Sequence, residues 1–204
     1  MKKILVFLLI LMFACVGYFV FFYESKEIVN YPSNGETIVA FGDSLVEGVG
    51  STVEGGFVTM LSEKIDTPII NLGKSGDTTI DGLKRIDEVL DKNPKIVLVL
   101  LGGNDYLRKI PQEETFANLE KIITTIQKEG SMVILLGVRG GVIKDDYKDD
   151  FESLAKKLGT AYVPNVLDGL FANPEFMSDT IHPNDEGYKM IADKIYPVVT
   201  DLLE

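Results

Sequence analysis

The 204-residue sequence contains a single cysteine, Cys15, and a single histidine, His182. One cysteine cannot form a disulfide within the chain, and these two residues cannot build a Cys-x-x-Cys pair or a Cys/His zinc pattern. Disulfide scaffolds, dithiol redox chemistry and metal centres are therefore disfavoured, and we expect no cofactor. Any reaction that needs an imidazole has only His182 to supply it.

Positive charge is also scarce, because 20 Lys and Arg stand against 31 Asp and Glu and leave a net charge of −11. So acidic a surface repels the phosphates of nucleic acids and of anionic lipids. A nucleic-acid partner is therefore disfavoured, and any attachment to a membrane must use apolar residues. The length suits one domain, and 46% hydrophobic with 25% charged residues is typical of a globular protein.

One long apolar run stands at the N-terminus. After Lys2 and Lys3, residues 4–23 carry no charge, and a helix of that length spans roughly 30 Å, the thickness of a bilayer core. The run predicts a membrane anchor or signal segment over residues 1–23, with a cytoplasmic N-terminus. Cleaved secretion and lipid attachment at Cys15 are the alternatives, and each would also place the rest of the chain on the extracytoplasmic face.

The rest of the chain is patterned as an α/β protein. Residues 24–35 are polar and contain proline and glycine, so they predict a linker, and the domain then covers residues 36–204. Short apolar runs alternate there with amphipathic stretches, which predicts a three-layer α/β/α sandwich around a five-stranded parallel sheet. The predicted strands are Thr37–Phe41, Ile69–Leu72, Lys95–Leu101, Met132–Val138 and Ala161–Val166. The predicted helices are Phe57–Ile65, Thr79–Leu90, Glu113–Lys128, Asp145–Leu158 and Asp185–Leu203.

Four polar loops follow predicted strands, at the edge of the sheet where α/β folds bind ligands. They supply a hydroxyl, an amide side chain, glycine N–H donors and a carboxylate three residues before the only imidazole. Each loop alone has an ordinary explanation as a helix cap or a turn, but together they match the needs of acyl transfer. The loops are Gly42–Leu45, Gly73–Thr78, Gly102–Asp105 and Asp179–Asn184.

These four blocks, in this order, resemble the blocks of the GDSL esterases, also called SGNH hydrolases. The resemblance covers the whole domain and implies the SGNH-hydrolase fold, with flavodoxin-like layering. Ser-Gly-Asp-Thr at 75–78, Gly-Gly-Asn-Asp-x-Leu-Arg at 102–108 and Ile-His-Pro-Asn at 181–184 are most similar to the bacterial thioesterase I/lysophospholipase/arylesterase branch.

The resemblance also implies a role for each site residue. Ser44 would be the nucleophile, His182 the general base and Asp179 the carboxylate that orients the histidine. The oxyanion donors would be the backbone N–H groups of Ser44 and Gly76 and the side-chain amide of Asn104. These roles agree with the chemistry, since a serine hydroxyl needs an adjacent imidazole to take its proton.

Apolar residues near these loops predict a groove for an acyl chain, with packing in the core as the alternative. We expect a serine esterase acting on lipid or lysophospholipid-type esters or on small aryl and alkyl esters, with thioesters as a further substrate class. A carbohydrate O-acetylesterase acting on cell-wall glycans and a non-catalytic binding domain are the alternatives. The groove candidates are Tyr106, Leu107, Ile143 and Phe176, with Ile110, Val142, Phe171 and Met177 nearby.

Overall fold

A five-stranded parallel sheet forms the centre of the protein, with strand order β2-β1-β3-β4-β5. The computed structural model describes residues 28–139, 147–171 and 173–204. Nearly every residue of β1, β3 and β4 is buried, because helices cover both faces of the sheet. The strands are β1 (Thr37–Gly42), β2 (Ile69–Gly73), β3 (Pro94–Leu100), β4 (Met132–Leu136) and β5 (Ala161–Val163).

The helices form two layers, and the predicted three-layer α/β fold is confirmed. Helices α2 and α8 pack together on one face, while α3, α6 and α7 lie on the other, as right-handed crossovers require. The helices are α1 (Ser44–Glu47), α2 (Gly56–Lys64), α3 (Thr79–Lys84), α4 (Asp87–Leu90), α5 (Gly103–Leu107), α6 (Gln112–Lys128), α7 (Lys148–Leu158) and α8 (Asp185–Leu203), with a 3-10 turn at Pro174–Phe176.

The predicted single helix over 79–90 is wrong, because the chain leaves the helix at Arg85. The Arg85 N–H donates to the Gly82 carbonyl, three residues back, and the helical hydrogen bonding stops there. Its guanidinium turns inward instead and donates to the carbonyl oxygens of Leu72 at 3.0 Å and Gly42 at 2.9 Å. Arg85 thereby ties the ends of β1 and β2 together.

The described part of the predicted linker lies against the domain. The Val29 N–H donates to the Gly159 carbonyl at 2.9 Å, and Asn30 Nδ2 donates to the carbonyls of Gln127 at 2.7 Å and Ser131 at 3.0 Å. These acceptors lie just before β4 and β5 or at the end of α6, so the chain enters at the amino edge of the sheet.

The predicted anchor or signal segment, residues 1–23 with Cys15, lies outside the described residues, as do residues 24–27. Among the helices that the structure does describe, none combines the length and the apolar character needed to cross a membrane.

Candidate active site

Ser44 lies at the carboxyl edge of the sheet, where β1 turns directly into α1. Asp43 is the N-cap of α1, and its Oδ1 accepts a hydrogen bond from the Leu45 N–H at 3.0 Å. Only glycine fits at position 42, since a side chain there would run into the Leu100 carbonyl of the neighbouring strand. The tight turn fixes Ser44 at the first position of the helix.

His182 reaches Ser44 from the loop before α8. Its Nε2 lies 3.0 Å from Ser44 Oγ, and its Nδ1 lies 2.8 Å from Asp179 Oδ2. The other oxygen of Asp179 accepts from the backbone N–H groups of Ile181 and His182, both at 2.7 Å. A single carboxylate therefore shapes the turn and contacts the imidazole that the turn carries.

The electrostatics of this loop favour one tautomer of His182. Hydrogen bonds from the His182 side chain, then from the backbone of His182 and Ile181, lower the pKa of Asp179 to about 2. The ionised carboxylate can only accept, so Nδ1 carries the proton and Nε2 is left to accept from the Ser44 hydroxyl. The arrangement can therefore remove a proton from Ser44.

A glycine in the loop after α1 lets that loop press against the histidine loop. Gly50 has φ +97°, and a Cβ there would collide with Ser178 Oγ, lie 2.6 Å from the Pro183 carbonyl and lie 3.1 Å from His182 Cβ. A side chain at position 50 would have to displace the backbone that carries His182.

Asp185, the first residue of α8, clamps the same loop. Its Oδ1 accepts from Ser51 Oγ at 2.5 Å and from the Thr52 N–H at 2.7 Å, and its Oδ2 accepts from Thr52 Oγ1 at 2.5 Å. These hydrogen bonds, Ser51 first, lower the pKa of Asp185 to about 2. The clamp and the close fit of Gly50 together fix the backbone behind His182.

Asn104 bridges the loops that follow β1 and β2. Its Nδ2 donates to the Asp77 carbonyl at 3.0 Å and lies 3.3 Å from Asp43 Oδ2. Gly76, with φ +83°, directly precedes Asp77. Within the part of the chain that the structure describes, the backbone N–H groups of Ser44 and Gly76 have no protein acceptor. Unpaired donors of this kind can receive a negative oxygen.

The loop that carries Gly76 is itself held in place from two sides. Glu47 Oε2 accepts from the Ser75 N–H at 2.5 Å, and Arg85 Nε lies 2.5 Å from Asp77 Oδ2. The Arg85 and Asp77 side chains are only 10% and 8% exposed, so this ion pair is shielded from solvent.

Asp43 is a buried acid beside the candidate nucleophile. Burial raises the pKa of Asp43 to about 7, against smaller lowering effects of the Leu45 hydrogen bond and of His182. A second acid, Asp105, is fully buried and accepts from the Thr79 N–H at 2.9 Å and the Thr79 hydroxyl at 2.5 Å. No group of three or more Asp, Glu, His or Cys side chains in the described ranges is arranged to hold a metal ion.

Sequence reasoning missed the supporting residues Asp43, Asp77 and Arg85. Asp43 and Asp77 stand inside the two blocks that were singled out, so an acid next to each expected donor was the available signal. Arg85 offered none, because its spacing fits a helix and its inward turn depends on the strands it contacts.

A cleft of about 130 Å³ opens beside Ser44 and Asn104. Tyr106 and Leu107 line it, as the groove prediction expected. Phe176 does not line it, and its partly buried side chain packs against the hydrophobic core. Ile143, with Val142, lies outside the described residues. The other apolar lining residues are Leu45, Val138, Leu167, Phe171 and Ile181.

Residues 40–190 match the model of the GDSL-like lipase/acylhydrolase family. An arylesterase of Vibrio mimicus is 32% identical over 170 residues, which cover 78% of this chain and 85% of that protein. The thioesterase 1/protease 1/lysophospholipase L1 of Escherichia coli K12 is 29% identical over 167 residues, which cover 78% of this chain and 80% of the relative.

A solved structure gives the same result for the fold. The psychrotrophic esterase EstA of Pseudoalteromonas, in a crystal structure inhibited by monoethylphosphonate, superposes with a TM-score of 0.73 and 26% identity. The match covers 82% of this chain and 98% of EstA.

Proposed function

Because the chain belongs to the GDSL-like lipase/acylhydrolase family and is a hydrolase of the carboxylic ester type, we propose that Ser44 is its nucleophile and forms an acyl-enzyme. The observation that carries this proposal is the continuous chain of contacts from Asp179 Oδ2 through His182 to Ser44 Oγ, at 2.8 and 3.0 Å. Both distances are within the range of hydrogen bonds that transfer a proton in catalysis.

Acylation begins when Ser44 Oγ attacks the carbonyl carbon of the ester. His182 Nε2 takes the hydroxyl proton as the new C–O bond forms, and the Asp179 carboxylate stabilises the resulting imidazolium. When the tetrahedral intermediate collapses, the bond to the alcohol oxygen breaks and His182 returns the proton to that oxygen. The alcohol leaves, and the acyl group stays on Ser44.

Three donors receive the negative oxygen of the intermediate in this proposal. They are the backbone N–H groups of Ser44 and Gly76, which have no protein acceptor in the described part of the chain, and Nδ2 of Asn104. Where one such donor has been removed from a serine hydrolase, kcat falls roughly 10²–10³-fold.

Deacylation repeats the same steps with water. His182 takes a proton from the water molecule, the hydroxide oxygen attacks the acyl carbon, and the imidazolium then protonates Ser44 Oγ as it leaves. The products are the carboxylic acid and the regenerated serine. All proton transfers use side chains present in the site.

The dimensions of the cleft favour small aryl and alkyl groups inside it. An apolar cavity of about 150 Å³ holds one benzene molecule, and this cleft measures about 130 Å³. Longer acyl chains of lipid or lysophospholipid esters would extend over the rim, where Tyr106, Leu107 and Ile181 are 39%, 55% and 40% exposed. We therefore expect short and medium acyl chains to react best.

Hydrolysis of p-nitrophenyl esters from acetate to palmitate by the full-length chain tests this function, with Ser44→Ala as the control. We expect turnover that is highest for butyrate to octanoate and is lost in the variant. Activity confined to the acetate would favour the O-acetylesterase alternative. Turnover that does not depend on Ser44 would contradict the mechanism.

We further propose that residues 1–23 anchor the domain to the extracytoplasmic face of a membrane. The chain enters at the amino edge of the sheet, opposite the site, and residues 24–27 span at most roughly 14 Å. The cleft would then face away from the anchoring membrane, which favours esters that arrive from the surrounding medium.

Cell fractionation with protease treatment tests the anchor. We expect the full-length chain in the membrane fraction, accessible to protease only from the outer side, and a chain without residues 1–23 in the soluble fraction. A full-length chain found in the cytoplasmic fraction would contradict the proposal.

A further inference from the structure

One polar group in the site has no task in the proposed mechanism. Asp43 is only 4% exposed and directly precedes Ser44, yet Asp179 is the carboxylate on the histidine. Its two oxygens have different partners: Oδ1 accepts from the Leu45 N–H at 3.0 Å, and Oδ2 faces Asn104 Nδ2 at 3.3 Å. The first contact fixes the carboxylate, and the second reaches an expected oxyanion donor.

The surroundings of Asn104 decide which end of its amide points into the site. An amide side chain has two N–H donors on Nδ2 and an acceptor on Oδ1. The two groups that face Nδ2 are the Asp77 carbonyl and the Asp43 carboxyl, and above the Asp43 pKa of about 7 both can only accept. Turning the amide over would place Oδ1 against two oxygens, so this pair of acceptors selects one orientation.

We propose that Asp43 is a positioning residue that holds the Asn104 amide with its nitrogen directed into the oxyanion site. This inference rests on the proposed function, in which Asn104 Nδ2 stabilises the tetrahedral intermediate. Asp43 acts through Asn104 and needs no contact with the substrate.

The two contacts of Nδ2 are unequal, which suits a donor that must change partners. The 3.0 Å bond to the Asp77 carbonyl holds one proton, while the 3.3 Å contact to Asp43 Oδ2 is long for a hydrogen bond. The second N–H is therefore the one that can donate a hydrogen bond to a substrate oxygen.

The cost of burying Asp43 supports a role beyond helix capping. Burial raises the pKa of Asp43 to about 7, whereas asparagine and serine cap a helix about as well as aspartate without a charge. A neutral cap would therefore be the less costly residue if position 43 only had to start α1.

Two substitutions separate the capping role from the positioning role. In Asp43→Asn, whichever way the new amide turns, its –NH2 faces either the Leu45 N–H or Asn104 Nδ2, so one contact becomes donor against donor. In Asp43→Ser, the hydroxyl can still cap α1 but leaves Asn104 without its second acceptor and without repulsion. Capping alone predicts that both variants match the wild type.

Steady-state kinetics of the full-length chain with p-nitrophenyl butyrate test the proposal in a double-mutant cycle with Asn104→Ala. We expect Asp43→Asn to lower kcat about 10- to 100-fold and Asp43→Ser less, with KM within about twofold, because the contact acts on the transition state. In the Asn104→Ala background, Asp43→Asn should have no further effect beyond about twofold. Thermal unfolding checks that each variant is folded.

Two results would overturn the proposal. One is a kcat of folded Asp43→Asn within twofold of the wild type, and the other is an equal loss on Asp43→Asn with and without Asn104. Failure of the proposed function looks different, because Asn104→Ala and Ser44→Ala would then retain the activity of the wild type.

Discussion

Two aspartates near Ser44 lie in loops that differ in exposure to solvent, and they contact His182 and Asn104 respectively. Asp179 lies in the half-exposed loop before α8, where hydrogen bonds from His182 and Ile181 lower its pKa to about 2. Asp43 lies in the buried turn after β1, where loss of solvent raises its pKa to about 7. The pKa of an aspartate is therefore lowered in one of these loops and raised in the other.

The difference shows what each environment is suited to. In the exposed loop, backbone N–H groups and the imidazole stabilise the charge of Asp179, which is therefore present at every pH near neutrality and suits an imidazolium partner. In the buried turn, the charge of Asp43 is costly, but Oδ1 accepts from the Leu45 N–H at 3.0 Å and Oδ2 faces Asn104 Nδ2 at 3.3 Å. That loop is suited to fixing geometry.

The largest expected effect comes from removing the charge in the exposed loop. Asp179→Asn keeps an oxygen for the backbone N–H groups but turns an –NH2 group toward His182 Nδ1, which selects the wrong tautomer. We expect kcat to fall about 10³–10⁴-fold, as in serine proteases. The measurement is kcat on p-nitrophenyl butyrate with unfolding midpoints to confirm the fold.

The matched control is Asp193→Asn, an exposed aspartate of α8 that pairs with Lys64 away from the site. It should leave kcat unchanged. An Asp179→Asn variant within tenfold of the wild type would contradict the role proposed for this loop.

The unfavourable burial of the Asp43 charge should appear in the pH dependence of the free energy of unfolding. The folded-state pKa of Asp43, about 7, lies above the usual 3.8, so its ionisation lowers stability as the pH rises from about 4 to about 7. Asp43→Asn removes this pH dependence, so its free energy of unfolding relative to that of the wild type should rise between pH 4.5 and 8, by at most about 4 kcal/mol. Denaturant unfolding at pH 4.5 and 8 measures the gain.

Asp179 should give the opposite sign in the same experiment. Its lowered pKa contributes stability that is present above pH 3.8 and is lost as the pH falls toward 2. Asp179→Asn should therefore lose stability relative to the wild type at neutral pH, and the difference should shrink in acid. If the stability of both variants relative to the wild type changed with pH in the same way, the opposite pKa shifts assigned to Asp43 and Asp179 would be contradicted.

An intermediate effect is expected where the loop after α1 meets the histidine loop. Gly50→Ala would push its Cβ into the Pro183 carbonyl at 2.6 Å and shift His182. We expect kcat to fall about 10- to 100-fold, since small misplacements of catalytic groups have effects of this size. Gly169→Ala is the control, because Gly169 also has positive φ but a Cβ there meets nothing within 4 Å. Equal effects of the two variants would assign the loss to backbone strain alone.

The smallest effect is expected at the rim of the cleft. Leu107 is 55% exposed beside the cleft, and Leu107→Ala removes apolar surface worth about 1 kcal/mol to a longer acyl chain, or about fivefold in kcat/KM. The expected loss applies to the octanoate ester and leaves the acetate unchanged. Val29→Ala, an exposed apolar residue at the opposite edge, should change neither. A uniform loss on both esters would argue against chain binding at this rim.

Much of the fold could be predicted because local signals and tertiary structure agree. Helix α8 has the predicted bounds, since Asn184 caps it by accepting from the Gly187 N–H at 3.1 Å. The predicted helix over 79–90 is interrupted at Arg85, because contacts of this side chain with the ends of β1 and β2 override the local helical pattern.

The candidate site was predictable in its residue types but not in its distances or depth. The motif order points to Ser44, Asn104, Asp179 and His182, and the roles inferred for them stay predictions until the variants are measured. No local pattern reveals that Asp43 is buried and Asp179 is half exposed, because burial depends on how separate loops meet.

Covalent labelling of the full-length chain tests the central claim most directly. An organophosphate with a p-nitrophenol leaving group should release one equivalent of p-nitrophenol, and mass spectrometry should place the phosphoryl adduct on Ser44. Asp179→Asn should slow the reaction, and Ser44→Ala should abolish it. An adduct on another residue, or release at an unchanged rate in Ser44→Ala, would contradict the assignment of Ser44 as the nucleophile.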